Sequence, residues 1–105
     1  MNTARSTPRR RKGHPEQVGE ALGRLTRALG IGKALDDYGV LVAWGSVVGE
    51  RIAAVTAALR MENGVLFVSV TTAPWRAELS MQRHEIIRKI NAAVGKDVVR
   101  EIRFR

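Results

Sequence analysis

The chain has 105 residues, of which 45% are hydrophobic and none is cysteine, and its net charge is +8. This length supports one hydrophobic core but not two, and the lack of cysteine excludes disulfides and thiolate metal sites. No segment approaches the roughly 20 apolar residues of a membrane-spanning helix, and the N-terminus lacks the apolar run of a secretory signal peptide. We therefore expect a cytoplasmic protein with one folded domain and no membrane partner.

The positive charge is concentrated at the two ends of the sequence. Residues 1–14 carry five basic and no acidic side chains, residues 15–73 carry five basic and six acidic ones, and residues 74–105 carry eight basic and four acidic ones. This distribution is typical of polyanion binding, although a solubilising surface with a flexible tail explains it equally well. Because residues 1–14 contain almost no apolar side chains, we expect a disordered basic tail followed by a folded domain over residues 15–105.

Two helices are predicted at the start of the folded domain. Pro15 suits the first position of a helix, and the apolar residues that follow it recur at helical spacing until a glycine-rich segment. These apolar residues are Val18, Leu22, Leu25 and Leu29. A second helix is predicted from about Lys33 to Val48, where glycines weaken the helical pattern.

A β-hairpin is predicted in the middle of the chain, centred on Asn63-Gly64. Both residues tolerate the positive φ angles of a type I′ turn, and alternating apolar residues flank them. A two-residue loop places Glu62 opposite Val65 and thereby fixes the register of the two strands. The pairs expected on the core face are Leu59 with Val68 and Ala57 with Val70, and those expected on the opposite face are Arg60 with Phe67 and Thr56 with Thr71.

The C-terminal third predicts a helix followed by a strand parallel to the second strand of the hairpin. Pro74 opens a helical pattern that continues over 75–94, Gly95 ends it, and residues 98–104 form the strand. The predicted fold is therefore α+β, with the order α-α-β-β-α-β, a three-stranded mixed sheet and helices on one face. The side chains expected to anchor its core are Trp44, Trp75, Leu79, Ile86, Ile90 and Phe104.

The groups that catalysis, metal binding or nucleotide binding require are missing. The only histidines, His14 and His84, are far apart in the sequence, and adjacent Asp36 and Asp37 point about 100° apart on a helix. The segment at 30–33 ends in Gly-Lys but lacks the first glycine and the hydroxyl residue of a phosphate-binding loop. We expect no enzyme activity, no metal, no cofactor and no small-molecule substrate.

Three segments in a specific order resemble a known family. They are the W-x-x-V-V-G element of Trp44–Gly49, the G-x-L-x-V-x-V strand within Asn63–Val70, and the helix start Pro74–Leu79. Ile90-Asn91 and the closing segment Val99–Phe104 follow them. Over about residues 15–105 this succession resembles the DciA family of bacterial replication proteins.

This resemblance implies a fold like the type II KH domain and a role in recruiting or loading the DnaB-type replicative helicase without ATP hydrolysis. It also implies binding of single-stranded DNA and a location in the cytoplasm, on the nucleoid at replication forks. The G-x-x-G clamp of KH domains is absent after the hairpin, because Gly45 and Gly49 are spaced G-x-x-x-G and lie before it. Nucleic-acid contacts must therefore use other residues.

Phe67 and the basic side chains are the candidates for these contacts. The hairpin register puts Phe67 beside Arg60 on the sheet face opposite the core, where an aromatic ring can stack a base or hold a partner helix, unless another segment covers it. The complete set of candidates is Arg9, Arg10, Arg11, Lys12, Arg60, Phe67, Arg76, Arg88, Lys89, Arg100, Arg103 and Arg105. Two alternative functions remain open at this point: a KH-like RNA-binding module acting at the ribosome, and a small structural or regulatory protein with an incidental basic tail.

Overall fold

The computed structural model describes residues 15–105, so the predictions made for the basic tail, including Arg9, Arg10, Arg11 and Lys12, lie outside the described residues. The chain divides into two compact units, one ending at Gly32 and the other spanning Lys33–Arg105. In the first unit, helix α1 (Pro15–Leu29) begins at the predicted proline and ends before Gly30, whose φ is 72°. The four apolar side chains of its predicted stripe are all exposed.

Helix α2 (Gly32–Val48) opens the fold of the second unit and ends at the predicted residue. It buries Trp44, whose indole Nε1 donates a hydrogen bond to Thr56 Oγ1 at 2.9 Å, and Thr56 Oγ1 donates in turn to the carbonyl of Ile52 at 2.8 Å. Ile52 belongs to a short helix, α3 (Glu50–Ala53), which the sequence did not predict. Gly49, with φ of 90°, separates the two helices.

The hairpin consists of strands β1 (Thr56–Glu62) and β2 (Val65–Val70), paired antiparallel. The predicted turn is confirmed, because Asn63 and Gly64 have φ angles of 50° and 82°, both in the left-handed region that a type I′ turn requires. Next to the turn the predicted register is also confirmed, with Glu62 opposite Val65 and Arg60 opposite Phe67.

Farther from the turn the predicted register is wrong, because a β-bulge lies between Ala58 and Arg60. A bulge adds one residue to one strand, so every pair beyond it moves by one position and changes face. Ala58 therefore lies opposite Val68 and faces the core, whereas Leu59, predicted to be a core residue, is 46% exposed. The predicted pairs Ala57 with Val70 and Thr56 with Thr71 are replaced by Ala57 with Ser69 and Thr56 with Val70.

The single helix predicted over 75–94 is in fact two helices, α4 (Ala73–Met81) and α5 (Arg83–Val94). The break occurs at Gln82, which has φ of −98° and ψ of 9°, and its backbone N–H donates to Leu79 O at 3.1 Å instead of continuing the α-helical pattern. At the start of α4, the Thr72 side chain accepts a hydrogen bond from the Trp75 backbone N–H.

The last strand, β3 (Glu101–Phe104), is parallel to β2 as predicted and gives the sheet order β1-β2-β3. It is shorter than the predicted 98–104, because an asparagine side chain occupies the backbone groups that precede it. Asn91 Oδ1 accepts from the backbone N–H groups of Val98 and Val99 at 3.0 and 2.9 Å, and its Nδ2 donates to Val99 O at 3.0 Å.

The core lies between one face of the sheet and the helices of the second unit. Every second residue of β2 is buried, which assigns Leu66, Val68 and Val70 to this face. The remaining buried side chains are Val40, Trp44, Leu79, Ile86, Ile90, Val99 and Ile102, and Trp75 and Phe104 are partly buried against them. The α+β class with a three-stranded mixed sheet and helices on one face is therefore confirmed. No helix within residues 15–105 combines the length and the hydrophobicity that a membrane-spanning segment needs.

Candidate nucleic-acid interface

The sheet face opposite the core carries an aromatic ring between two arginines. Arg60 of β1 and Arg103 of β3 lie directly across from Phe67 of β2 in the strand register. The guanidinium carbon of Arg60 is 4.2 Å from the centre of the Phe67 ring, and that of Arg103 is 5.9 Å from it. Both distances lie within the range of cation–π contacts. We call these three residues the Phe67 row.

A third arginine, Arg105, contacts the same ring from the residue that directly follows β3. The backbone ladder continues past Phe104, since Val70 N donates to Arg105 O at 2.8 Å and Arg105 N donates to Val68 O at 3.0 Å. This pairing brings Arg105 level with Ser69, and its guanidinium carbon is 5.9 Å from the Phe67 ring. Three cations, two from the outer strands and one from the residue after β3, therefore lie around one half-buried aromatic side chain.

Two carboxylates lie on the same face, on the side toward the hairpin turn. Glu62 and Glu101 lie opposite Val65 on its two sides, two residues before the Phe67 row. Arg60 Nε donates to Glu62 Oε2 at 2.6 Å, and Arg103 Nε donates to Glu101 Oε2 at 3.0 Å. Arg105 has no ion pair with a carboxylate of the described residues. The side chains of this face therefore carry three positive and two negative charges, and Arg105 alone among the three arginines lacks an ion pair with a side-chain carboxylate of the described residues.

The other arginines proposed from the sequence have structural partners away from the Phe67 row. Arg76 donates to the carbonyl of Val70 at 3.3 Å and thereby ties α4 to the end of β2. Arg100 packs its guanidinium over the hairpin turn, where it donates to Asn63 O. Its backbone N–H also donates to Gly64 O at 2.8 Å. Neither side chain belongs to the ring of cations around Phe67.

Helix α5 carries the remaining basic candidates, on the covered side of the sheet. Arg88 donates to Glu85 through Nε and through a second guanidinium nitrogen. This hydrogen bonding lowers the pKa of the Glu85 carboxyl and raises that of the Arg88 guanidinium. Lys89 is exposed on the same helix. Ile86 and Ile90 of α5 are buried in the core, so its basic residues lie far from the open face.

A second aromatic–arginine contact, which sequence reasoning missed, lies between α3 and α4. The Arg51 guanidinium carbon is 5.7 Å from the centre of the Trp75 ring, in a groove lined also by Ile52, Pro74 and Glu78. Helix α3 brings Arg51 to this position, and because α3 was not predicted, no signal in the sequence indicated the contact. Trp75 is partly buried against the core and partly open to this groove.

The side chains of the open face offer aromatic stacking and charged hydrogen-bond donors. An aromatic ring beside guanidinium groups has the chemistry needed to stack a nucleobase, and a guanidinium group has the charge needed to contact phosphate. Among the described residues, no group of three or more histidine, cysteine, aspartate or glutamate side chains is placed to hold a metal ion. His84 is exposed on α5.

Together the fold and this face define the class of protein: a small α+β domain with an aromatic side chain among arginines on the open face of its sheet. Residues 17–104 match the family described as "Dna[CI] antecedent, DciA". The chain therefore belongs to the DciA family, and the resemblance recognised in the sequence is confirmed.

Several relatives extend the comparison. A UPF0232 protein of Mycobacterium tuberculosis (strain CDC 1551 / Oshkosh) is 33% identical over 90 residues, which cover 86% of this chain and 48% of the relative. A UPF0232 protein of Rhodococcus jostii shows the same identity and coverage. A UPF0232 protein of Mycolicibacterium paratuberculosis is 32% identical over 90 residues, which cover 86% of this chain and 50% of the relative. The chain thus spans about half the length of the curated relatives it matches.

Proposed function

We propose that this chain is the KH-like module of a bacterial replication adaptor. It recruits or loads the DnaB-type replicative helicase and contacts single-stranded DNA through the open sheet face. Membership of the DciA family supports the helicase partner. The module acts by binding alone, in the cytoplasm at replication forks, and takes no part in ATP hydrolysis, since the segment at 30–33 lacks two elements of a phosphate-binding loop.

The observation that carries the DNA proposal is the ring of three arginines around Phe67. Phe67 offers a π-face to any base, Arg60 and Arg103 flank it in their ion pairs with Glu62 and Glu101, and Arg105 offers its guanidinium group to the adjoining phosphate. This mode of contact needs no G-x-x-G clamp, so the missing KH motif is compatible with nucleic-acid binding.

A single strand suits this face better than a duplex. Adjacent strands of a sheet are about 4.8 Å apart, so the Phe67 row spans roughly 10 Å between its two arginine backbones. A base reaches the Phe67 ring only after it leaves its own stack, which costs little in a single strand and several kcal/mol in a duplex. In this proposal, Arg9, Arg10, Arg11 and Lys12 of the N-terminal tail add contacts to phosphate that do not depend on sequence.

The proposed function is tested by gel filtration of the purified chain with the replicative helicase of the same bacterium, with and without a single-stranded oligonucleotide. The expected result is co-elution at micromolar concentrations. No complex under either condition would overturn the adaptor role. In a parallel titration, a strong preference for structured RNA over single-stranded DNA would favour the RNA-binding alternative and overturn the DNA proposal.

A further inference from the structure

Glu62 and Glu101 are unexpected on a surface that binds a polyanion. They occupy matching positions on the two outer strands, one on each side of Val65, and face the same side as the Phe67 row. Each is ion-paired with the arginine two residues away on its own strand, at 2.6 and 3.0 Å. Neither pair is buried, because the four side chains are between 45% and 59% exposed.

These exposed pairs contribute little to folding, so stability does not explain them. Their effect on binding is larger. An arginine that is already paired with a carboxylate neutralises less phosphate charge, so fewer of the counterions condensed on the DNA are released and the arginine adds little to the salt-dependent part of DNA affinity. Of the three arginines around Phe67, only Arg105 is unpaired with a described carboxylate.

We infer that Glu62 and Glu101 are specificity-determining residues, which restrict the open face to one unstacked base of a single strand. This inference rests on the proposed function of that face. The two carboxylates repel phosphate from the side of the hairpin turn, and the backbone of the bound strand passes on the opposite side, along Arg105 and Ser69. Phe67 then holds the base at the boundary between the acidic and basic halves of the face.

The geometry of the sheet makes this boundary narrow. Residues two apart on one strand are separated by about 6.7 Å, so the carboxylates lie one such step before the Phe67 row and Arg105 lies one step after it. A single strand that crosses the sheet strands between these positions keeps its phosphates near Arg105. A duplex is much wider than this step and brings phosphates against Glu62 or Glu101. Discrimination against duplex DNA therefore follows from the placement of the two carboxylates.

The test compares the full chain with the variants Glu62→Gln, Glu101→Gln and the double variant. Glutamine keeps the size and the acceptor oxygen of glutamate but removes the charge. Fluorescence anisotropy is measured with a labelled oligothymidine strand and with a duplex of the same length, over a series of salt concentrations. Each arginine that loses its carboxylate partner is expected to steepen the slope of log K against log salt by about 0.7 on single strands, so the double variant is expected to steepen it by about 1.4. Affinity for the duplex is expected to rise more than affinity for the single strand.

Glu85→Gln is the matched control, because it also removes one carboxylate that is paired with an arginine, Arg88, but on the covered side of the sheet. For this variant we expect the same slope of log K against log salt as for the wild type, and the same preference for the single strand over the duplex. An equal change in Glu85→Gln, or no change in the double variant, overturns the inference.

The phenylalanine variant Phe67→Leu separates this outcome from failure of the proposed function. If Phe67→Leu weakens the binding of single-stranded DNA while the glutamate variants leave the salt slope and the preference for single strands unchanged, the open face binds DNA and only the role of the carboxylates is wrong. If the wild-type chain does not bind single strands, the DNA proposal itself fails.

Discussion

Replacing Phe67 by leucine removes the aromatic face from the Phe67 row while keeping an apolar side chain of similar size. Phe67 is half-buried and points away from the core, whose β2 side chains are Leu66, Val68 and Val70. The packing of the core is therefore expected to survive the change. The loss is confined to the surface on which a base is proposed to stack.

The size of the effect follows from the number of bases that the ring can hold. The Arg60 guanidinium carbon already lies over the Phe67 ring, 4.2 Å from its centre. The two strands beside β2 carry no second aromatic residue on this face. The Phe67 row therefore offers a stacking surface for one base. Stacking of one base on an aromatic side chain contributes about 1–3 kcal/mol. The dissociation constant for single-stranded DNA is thus expected to rise roughly 5- to 150-fold.

The assay is fluorescence anisotropy with a labelled oligothymidine strand at one fixed ionic strength, since affinities at different salt concentrations are not comparable. Phe67→Tyr is the matched control, because it retains the ring and is expected to bind like the wild type. Urea unfolding of both variants checks that the fold is intact. Binding of Phe67→Leu within twofold of the wild type, with the fold intact, would refute the stacking role.

Further predictions concern the tail and the fold. Removal of residues 1–14, which carry five basic side chains, is expected to make the slope of log K against log salt shallower by up to about 3.5 on single strands; an unchanged slope would show that the tail does not contact DNA. Thr56→Val leaves the buried indole N–H of Trp44 without its acceptor and is expected to lower the free energy of unfolding by about 1–3 kcal/mol in a urea titration. Trp44→Ala is expected to cost about 3–5 kcal/mol in the same titration. Gly64→Ala is expected to cost more than about 1 kcal/mol, because φ is 82° and the added Cβ would lie 2.5 Å from Arg100 Nε; a Gly64→Ala, Arg100→Ala double variant should recover only the part due to the clash.

The parts of the fold that were predictable are those with a local signal. Asn63-Gly64 specified the turn and the register next to it, and this register alone placed Phe67 beside Arg60 on the open face. The bulge was not predictable, because Leu59 suits a core face by its chemistry and no glycine marks the irregularity. The break at Gln82 likewise lacks the proline or glycine that usually interrupts a helix.

The candidate site was predicted in part for the same reason. The position of Arg103 beside Phe67 follows from the parallel pairing of the last strand with β2. The contact of Arg105 with Phe67 depends on backbone hydrogen bonds that continue past Phe104, and no feature of the sequence predicts them. The roles of Arg76 and Arg100 depend on single backbone carbonyls, those of Val70 and Asn63, and such contacts are set by tertiary structure. Charge alone identified these arginines as candidates but did not distinguish surface cations from structural ones.

Photocrosslinking shows whether single-stranded DNA contacts the open sheet face. The full chain is irradiated with an oligonucleotide that contains 5-iodouracil, and the modified residues are identified by mass spectrometry. Phe67 and Trp75 are two partly exposed aromatic residues with arginines beside them, one on the open face and one in the groove between α3 and α4. We predict that, within residues 15–105, the crosslink forms at Phe67. A crosslink at Trp75 with none at Phe67 would mean that the strand binds in the groove between α3 and α4 and that the open face is not the DNA-binding surface.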